Sequence, residues 1–323
     1  MPRVPQHVID SVFYLYANGQ DAIDGKTPGG TGFVASVTEF AYNRSFEFHY
    51  GVTNWHVSCQ AGCSVIRLNR LDGECDIVEK GPEDWHFIAG RQDVAVVALD
   101  LDRRVHKTGS VNTSLFAAKP SMRQLSVGDD VFMLGLFVDH VGTTTNNPSA
   151  RFGHISMMPD AHATIEQPTT YRGESFVLDL HSRTGYSGSP VFVFRTPLAD
   201  LGDPWPRLQG HVDAGLIAHQ LRQTGFAAEP RSHEVSVEFK LPRTLFALLG
   251  IHWAQFPERW EIKNPDLIGD AEARAFVTNG AYVSGLSGMT CVIPAWEIKE
   301  VLDLPDLKEK RYQQVRKRAA GRG

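Results

Sequence analysis

The chain is 323 residues long, 42% apolar and 21% charged, with a formal net charge of −5 at neutral pH. This composition is ordinary for a soluble globular protein that buries a sizeable core. No apolar run reaches the length of a membrane span, the overall charge gives no general nucleic-acid signal, and four cysteines in so long a chain make no disulfide framework.

The opening stretch, MPRVPQHVIDSVFYLYANGQ, is apolar in part, but Asp10 and Ser11 interrupt it and no small-residue cleavage site follows. It reads as a strand rather than an export signal, so a cytoplasmic protein with free thiols is expected. Short runs rich in Val, Phe, Tyr and Thr then recur: SVFYLYA, TGFVASV, SFEFHYGVTN, SVIRLN, DVAVVALD, DVFMLGLF, SFVLDL and SPVFVF. Gly, Asn, Asp or Pro separates them, the pattern of an all-β sandwich or barrel. No βαβ alternation suggests a parallel sheet. Residues 103–125 are polar and strand-poor and read as the link between two β units. Residues 195–244 read as an irregular insertion. Near the end, Trp296, Ile298, Val301 and Leu302 form a helical stripe that Pro305 stops. From Leu307 onward seven basic residues face one Glu309, a net of +6. Such an end could touch nucleic acid or anionic lipid, but its plainer reading is a solvated helix extension.

Cys59, Cys63 and Cys75 lie close in sequence without the paired C-x-x-C of structural zinc sites. No metal and no cofactor is expected. Three other residues carry chemistry. YGVTNWHVS puts His56 where a β run ends, RQDVAVVALD puts Asp93 at the head of another, and TGYSGSP holds Ser187 in a glycine-rich turn. A serine hydroxyl needs a base within reach to attack at neutral pH. Histidine suits that role, and a carboxylate is needed to hold the imidazole tautomer. Taken singly, His56 reads as a packed histidine, Asp93 as a strand-start cap and Ser187 as part of a surface turn.

Together these motifs resemble the trypsin-like serine endopeptidases of the chymotrypsin fold, in particular the bacterial branch with glutamyl endopeptidases and Deg-type proteases. GGTGFVAS, VTNWHV, QDVAVVAL and GYSGSPVF are similar to that branch's early strand, histidine motif, aspartate strand and nucleophile loop. VGDDVFMLGL with ARFGHIS resembles the opening of the second barrel, and ALLGIHW with SGMTCVIPAWEIKEVL its closing strands and terminal helix. The resemblance implies an all-β fold of two six-stranded antiparallel barrels with a C-terminal helix. Its parts would be an N-terminal barrel over 8–115 with His56 and Asp93, a C-terminal barrel over 122–304 with Ser187, an insertion at 195–244 and a basic tail over 305–323. His56 is implied as general base, Asp93 as its orienting partner, Ser187 as nucleophile, and the N–H groups of Gly185 and Ser187 as an oxyanion hole. A polypeptide substrate follows. The resemblance to glutamyl endopeptidases further implies that His252 and Ser182, with His181 as a possible third donor, accept Glu or Gln before the cut bond.

The chain departs from the family at Tyr186, where digestive relatives carry the aspartate that pairs with a freshly cut N-terminus. Activation by N-terminal trimming is therefore not expected, and restraint would fall to a regulatory protein partner or to the 195–244 insertion. The alternative is a catalytically silent or partner-activated module of the same fold, used for binding. An esterase of the α/β-hydrolase type is excluded by residue order, because there the acid and histidine follow the serine.

Overall fold

The computed structural model describes residues 3–137, 140–142, 144–182, 185–195, 245–261 and 281–320. Each of the eight apolar runs forms a strand. After a single helical turn α1 (Gln6–Ile9), strand β1 (Val12–Tyr16) is buried at all five positions. A short helix α2 (Gly19–Asp24), capped by the Asn18 side chain on the Asp21 N–H, turns the chain into β2 (Gly30–Ala41). Then come β3 (Arg44–Thr53), β4 (Val65–Asn69), β5 (Cys75–Val78) and β6 (Ala95–Leu99). They pair in the order β5-β4-β1-β2-β3-β6. Phe13, Leu15, Val34, Val57, Ile66 and Val97 meet inside this curled sheet as one apolar cluster.

The sheet does not close into the expected first barrel. The four half-buried residues of β5 pair only with β4, and the free edge of β6 is covered instead by an isolated antiparallel bridge between His86 and Val96. The polar stretch 103–125 contains a two-residue strand β7 (Val111–Asn112), which pairs parallel with β2, followed by two 3-10 turns.

The second half does close. Strands β8 (Asp130–Gly135) and β9 (Ser149–Met157) precede a small ribbon of β10 (Ile165–Glu166) and β11 (Arg172–Gly173). Then follow β12 (Phe176–Asp179), β13 (Pro190–Arg195), β14 (Leu245–Glu261) and β15 (Tyr282–Pro294). The barrel runs β12-β15-β14-β13-β8-β9. By contacts the chain divides into one unit of Met1–Val193 with Phe246–Gly323 and a second of Phe194–Leu245. The insertion expected over 195–244 lies, apart from Arg195, outside the described residues.

The chain end differs from a solvated extension. Helix α3 (Ala295–Leu302) buries Trp296, Ile298, Val301 and Leu302, as the stripe predicts. Pro305 ends that helix and opens another, α4 (Pro305–Ala320), in keeping with the fit of proline to a first helical turn. Leu307 and Val315 of α4 are buried, each contributing roughly 1.5–3 kcal/mol. Between them the buried Arg311 guanidinium pairs with Glu39 of β2 at 2.9 Å and donates to Tyr50 Oη at 3.1 Å and to the Leu302 carbonyl at 2.9 Å. The basic end is thus riveted to the first sheet by one of its own cations. No described helix is long and apolar enough to cross a membrane, and all four cysteines are free thiols.

Candidate active site

Strand β3 ends at Thr53, and Asn54 turns the chain. Its carbonyl accepts from the N–H groups of Val57 and Ser58, and its side-chain amide donates to the Asp93 carbonyl at 2.8 Å. The following single π turn, His56–Gln60, is a distortion that recurs at functional sites. Asp93 lies just before β6, fully buried. Its Oδ1 accepts from the His56 backbone N–H at 2.8 Å and its Oδ2 from His56 Nδ1 at 2.6 Å. A carboxylate oxygen accepts here, so this contact puts a ring proton on Nδ1, and in the neutral imidazole the lone pair lies on Nε2. Gln167 holds Asp93 from behind, its Oε1 accepting the Asp93 N–H at 2.7 Å.

Ser187 sits in a turn between two glycines at positive φ, Gly185 at 92° and Gly188 at 89°. A Cβ on Gly188 would lie 1.9 Å from the Thr31 carbonyl oxygen, so both the backbone angle and the space require glycine there. Thr31, in β2, pins this turn. Its N–H donates to the Ser187 carbonyl at 2.9 Å and its Oγ1 donates to the Gly185 carbonyl at 2.7 Å. Its Oγ1 also accepts the Leu136 N–H at 3.0 Å, and its carbonyl accepts Thr53 Oγ1 at 2.7 Å. All of its polar groups are used, and one residue ties the end of β3, near His56, to the serine turn.

Tyr186, where an activation aspartate would stand, is fully buried. Its hydroxyl shares a hydrogen bond with Ser149 Oγ and accepts from Arg151 Nε at 3.2 Å, and the Arg151 guanidinium lies 5.6 Å from its ring centre. The turn is thereby anchored from inside the second barrel by a neutral side chain. Among the described residues, the N–H groups of Gly185 and Ser187 meet no protein acceptor, and no hydrogen bond joins the Ser187 hydroxyl to the His56 ring.

The residues expected to read the substrate divide into two groups. His252, on β14, is 3% exposed and lies beside the serine turn: its carbonyl accepts the Gly188 N–H and its own N–H donates to the Ser189 carbonyl, both at 2.9 Å. Its Nδ1 donates to the Cys291 carbonyl at 3.3 Å. Burial pushes its pKa down to about 4, against the raising effect of that carbonyl and with a smaller push from His56. Ser182 is buried against Gln255. With the Gln255 amide nitrogen facing Ser182, that nitrogen donates to Ser182 Oγ at 2.9 Å and Oε1 accepts the Gly288 N–H at 2.8 Å. The opposite orientation, in which Ser182 Oγ donates to Oε1 at 2.9 Å, sets two donors face to face at Gly288, so the first is adopted. His181 is exposed, its ring beside Gly288.

The sequence singled out His56, Asp93 and Ser187 as candidates but not Thr31, Asn54, Gln167 and Arg151, whose hydrogen bonds hold the segments around them. Asn54 stands two residues from His56, and Thr31 within GGTGFVAS, so local motifs hinted at both. Gln167 and Arg151 carried no local signal. Among the described residues no group of His, Cys, Asp and Glu could hold a metal ion.

No family model and no curated protein matches the sequence. Among solved structures the chain is similar to the crystal structure of Rv3671c protease in its inactive form, at 16% identity and a TM-score of 0.42, covering 91% of this chain and 88% of that one. It is also similar to a mutant of the same protein from M. tuberculosis H37Rv in the inactive form, at 16% identity and a TM-score of 0.41, covering 91% and 86%. For the active form from M. tuberculosis the identity is 16% and the TM-score 0.39, covering 94% and 91%.

Proposed function

We propose that the chain is a serine endopeptidase that cleaves peptide bonds through His56, Asp93 and Ser187. The observation that carries this reading is the 2.6 Å contact of His56 Nδ1 with the fully buried Asp93 carboxylate. It gives the imidazole the tautomer that a base for Ser187 needs. Nε2 takes the Ser187 proton as Oγ bonds to the substrate carbonyl carbon. The oxyanion so formed is held by the open N–H groups of Gly185 and Ser187, donors each worth roughly 3–4 kcal/mol in such a site. The carbon–nitrogen bond then breaks as the imidazolium returns the proton to the leaving amine. Water repeats the sequence on the acyl-enzyme. A cytoplasmic setting is part of this reading, supported by the four free thiols.

A fluorophosphonate probe tests the reading directly. The intact protein should become labelled at Ser187, and His56→Ala should suppress labelling. No labelling of the intact protein would turn the assignment to a silent binding module.

The reading extends to the side chain before the cut bond. With its Nδ1 proton given to Cys291 and a pKa of about 4, His252 is neutral near pH 7 and offers an Nε2 lone pair. With the Gln255 amide nitrogen pointing at it, Ser182 Oγ keeps its proton to donate. One acceptor and one donor match a glutamine amide, whereas a glutamate carboxylate would set oxygen against the Nε2 lone pair. The preference is therefore for Gln over Glu above about pH 5, with Glu gaining as His252 protonates near its lowered pKa. Peptide-library cleavage at a series of pH values checks this. Cutting chiefly after Arg, Lys, Phe or Leu would contradict it, as would an unchanged profile in His252→Ala.

A further inference from the structure

Helix α4, residues 47–50 of β3 and residues 98–101 at the end of β6 line a cavity of about 840 Å³, within the range of small-molecule sites. Six cations line it: Lys80, Arg103, Lys310, Arg311, Lys317 and Arg318. Only two carboxylates do so, Glu47 and Asp100. Arg103 is paired with Glu47, and Arg311 with Glu39 outside the cavity. Arg318 lies over the Phe48 ring at 5.1 Å and reaches only a neutral carbonyl, that of Glu47. Among the described residues Lys80, Lys310 and Lys317 have no ion-pair partner.

These cations are gathered from both walls. Lys310, Lys317 and Arg318 fall on one face of α4, seven and eight residues apart, the same face that carries the anchoring Arg311. Lys80 approaches from the sheet side. His49 in the same wall is held below its usual pKa by burial and by the nearby Arg103 and Arg318, against the pull of Glu47. On a chain whose overall charge is −5, four cations left without a carboxylate of their own around one hollow repel each other unless an anion enters.

We propose that this cavity binds a small, multiply charged anion of the oligophosphate class. Three or four negative charges in a compact chain match the unpaired Lys80, Lys310, Lys317 and Arg318, and Arg with Lys is the usual donor set for phosphate oxygens. The cavity is distinct from the proposed catalytic residues. It lies where His49 pairs with Leu99, whereas His56 and Asp93 flank the opposite end of the same strand pair, where Thr53 meets Ala95. An anion there links α4 to the two strands that position the base and its carboxylate.

Calorimetric titration of the full chain with inorganic tripolyphosphate, free of divalent cations, tests the site, with a nucleoside triphosphate as a second arm. One-to-one binding is expected, with a rise in melting temperature of roughly 5 °C at a hundredfold excess over Kd. Lys310→Glu with Lys317→Glu, both exposed, should weaken binding by about tenfold or more, equivalent to about 1.4 kcal/mol. Lys80→Glu on the opposite wall is a second, independent variant. Peptidase activity should stay at its basal level in all of them, so a failed titration leaves the catalytic assignment intact, and the reverse. Equal affinity for both ligands means that the phosphate chain alone is recognised, and tighter nucleotide binding means that the base is held as well. Either outcome supports the site. It is overturned by the absence of saturable binding, by affinity that both variants leave unchanged, or by an oligoglutamate peptide binding more tightly than either phosphate ligand.

Discussion

Ser187→Ala is expected to lower peptide and ester turnover by a factor on the order of 10⁶, leaving a residue of activity from the oxyanion donors and substrate binding. The loss should fall in kcat, because Oγ forms a bond only on the way to the transition state. The fold should be unaffected. The turn is held through backbone groups, with the Ser187 carbonyl on Thr31 and the Gly188 N–H on His252, and alanine keeps both. Melting temperature and turnover measured on the same preparation separate the two effects. Near-normal turnover by a pure, folded variant would remove Ser187 from the mechanism.

Acid should begin to destabilise the protein above the range in which ordinary carboxylates titrate, through His252. Its folded pKa of about 4 lies below the unfolded value of 6.5. Between those values the unfolded chain holds more protons, so stability rises with pH. The contribution is fully present above pH 6.5 and is lost as pH falls toward 4. At 1.36 kcal/mol per pH unit it amounts to about 3 kcal/mol, a large part of the roughly 5–15 kcal/mol that keeps a domain folded. His49, also lowered by burial, adds a slope of the same sign, and Glu297, raised by burial, one of the opposite sign. The difference between the parent and His252→Gln isolates the one histidine: denaturant midpoints recorded from pH 7 to pH 4 should converge as the pH falls. Parallel curves would mean that His252 is not buried in its neutral form.

Much of the architecture was legible in the chain because its signals are local. A run such as VFYLY has β propensity and apolarity within five residues, so β1 was readable without neighbours, as was the α3 stripe ending at Pro305. His56, Asp93 and Ser187 stood out because strand ends and glycine turns are also local events. The openness of the first sheet was not legible, since closure depends on whether the short β5 can reach β6, and each edge is settled by partners far away in sequence. The polar tail was read as solvated because its charge is visible in sequence while the partner of Arg311, Glu39, lies 272 positions away.

The same division runs through the site. Sequence alone determined which residue types are present and in what order, and hence the kind of chemistry they could perform. Only the tertiary structure decided which groups meet: Thr31 on both sides of the serine turn, Gln167 behind Asp93, and Cys291 fixing the His252 proton. It also decided that His252 is neutral and that cations from α4 and the first sheet surround one cavity. The physical reason is that protonation and charge surplus depend on burial and on distances between groups. Those quantities do not exist until residues distant along the chain are packed together.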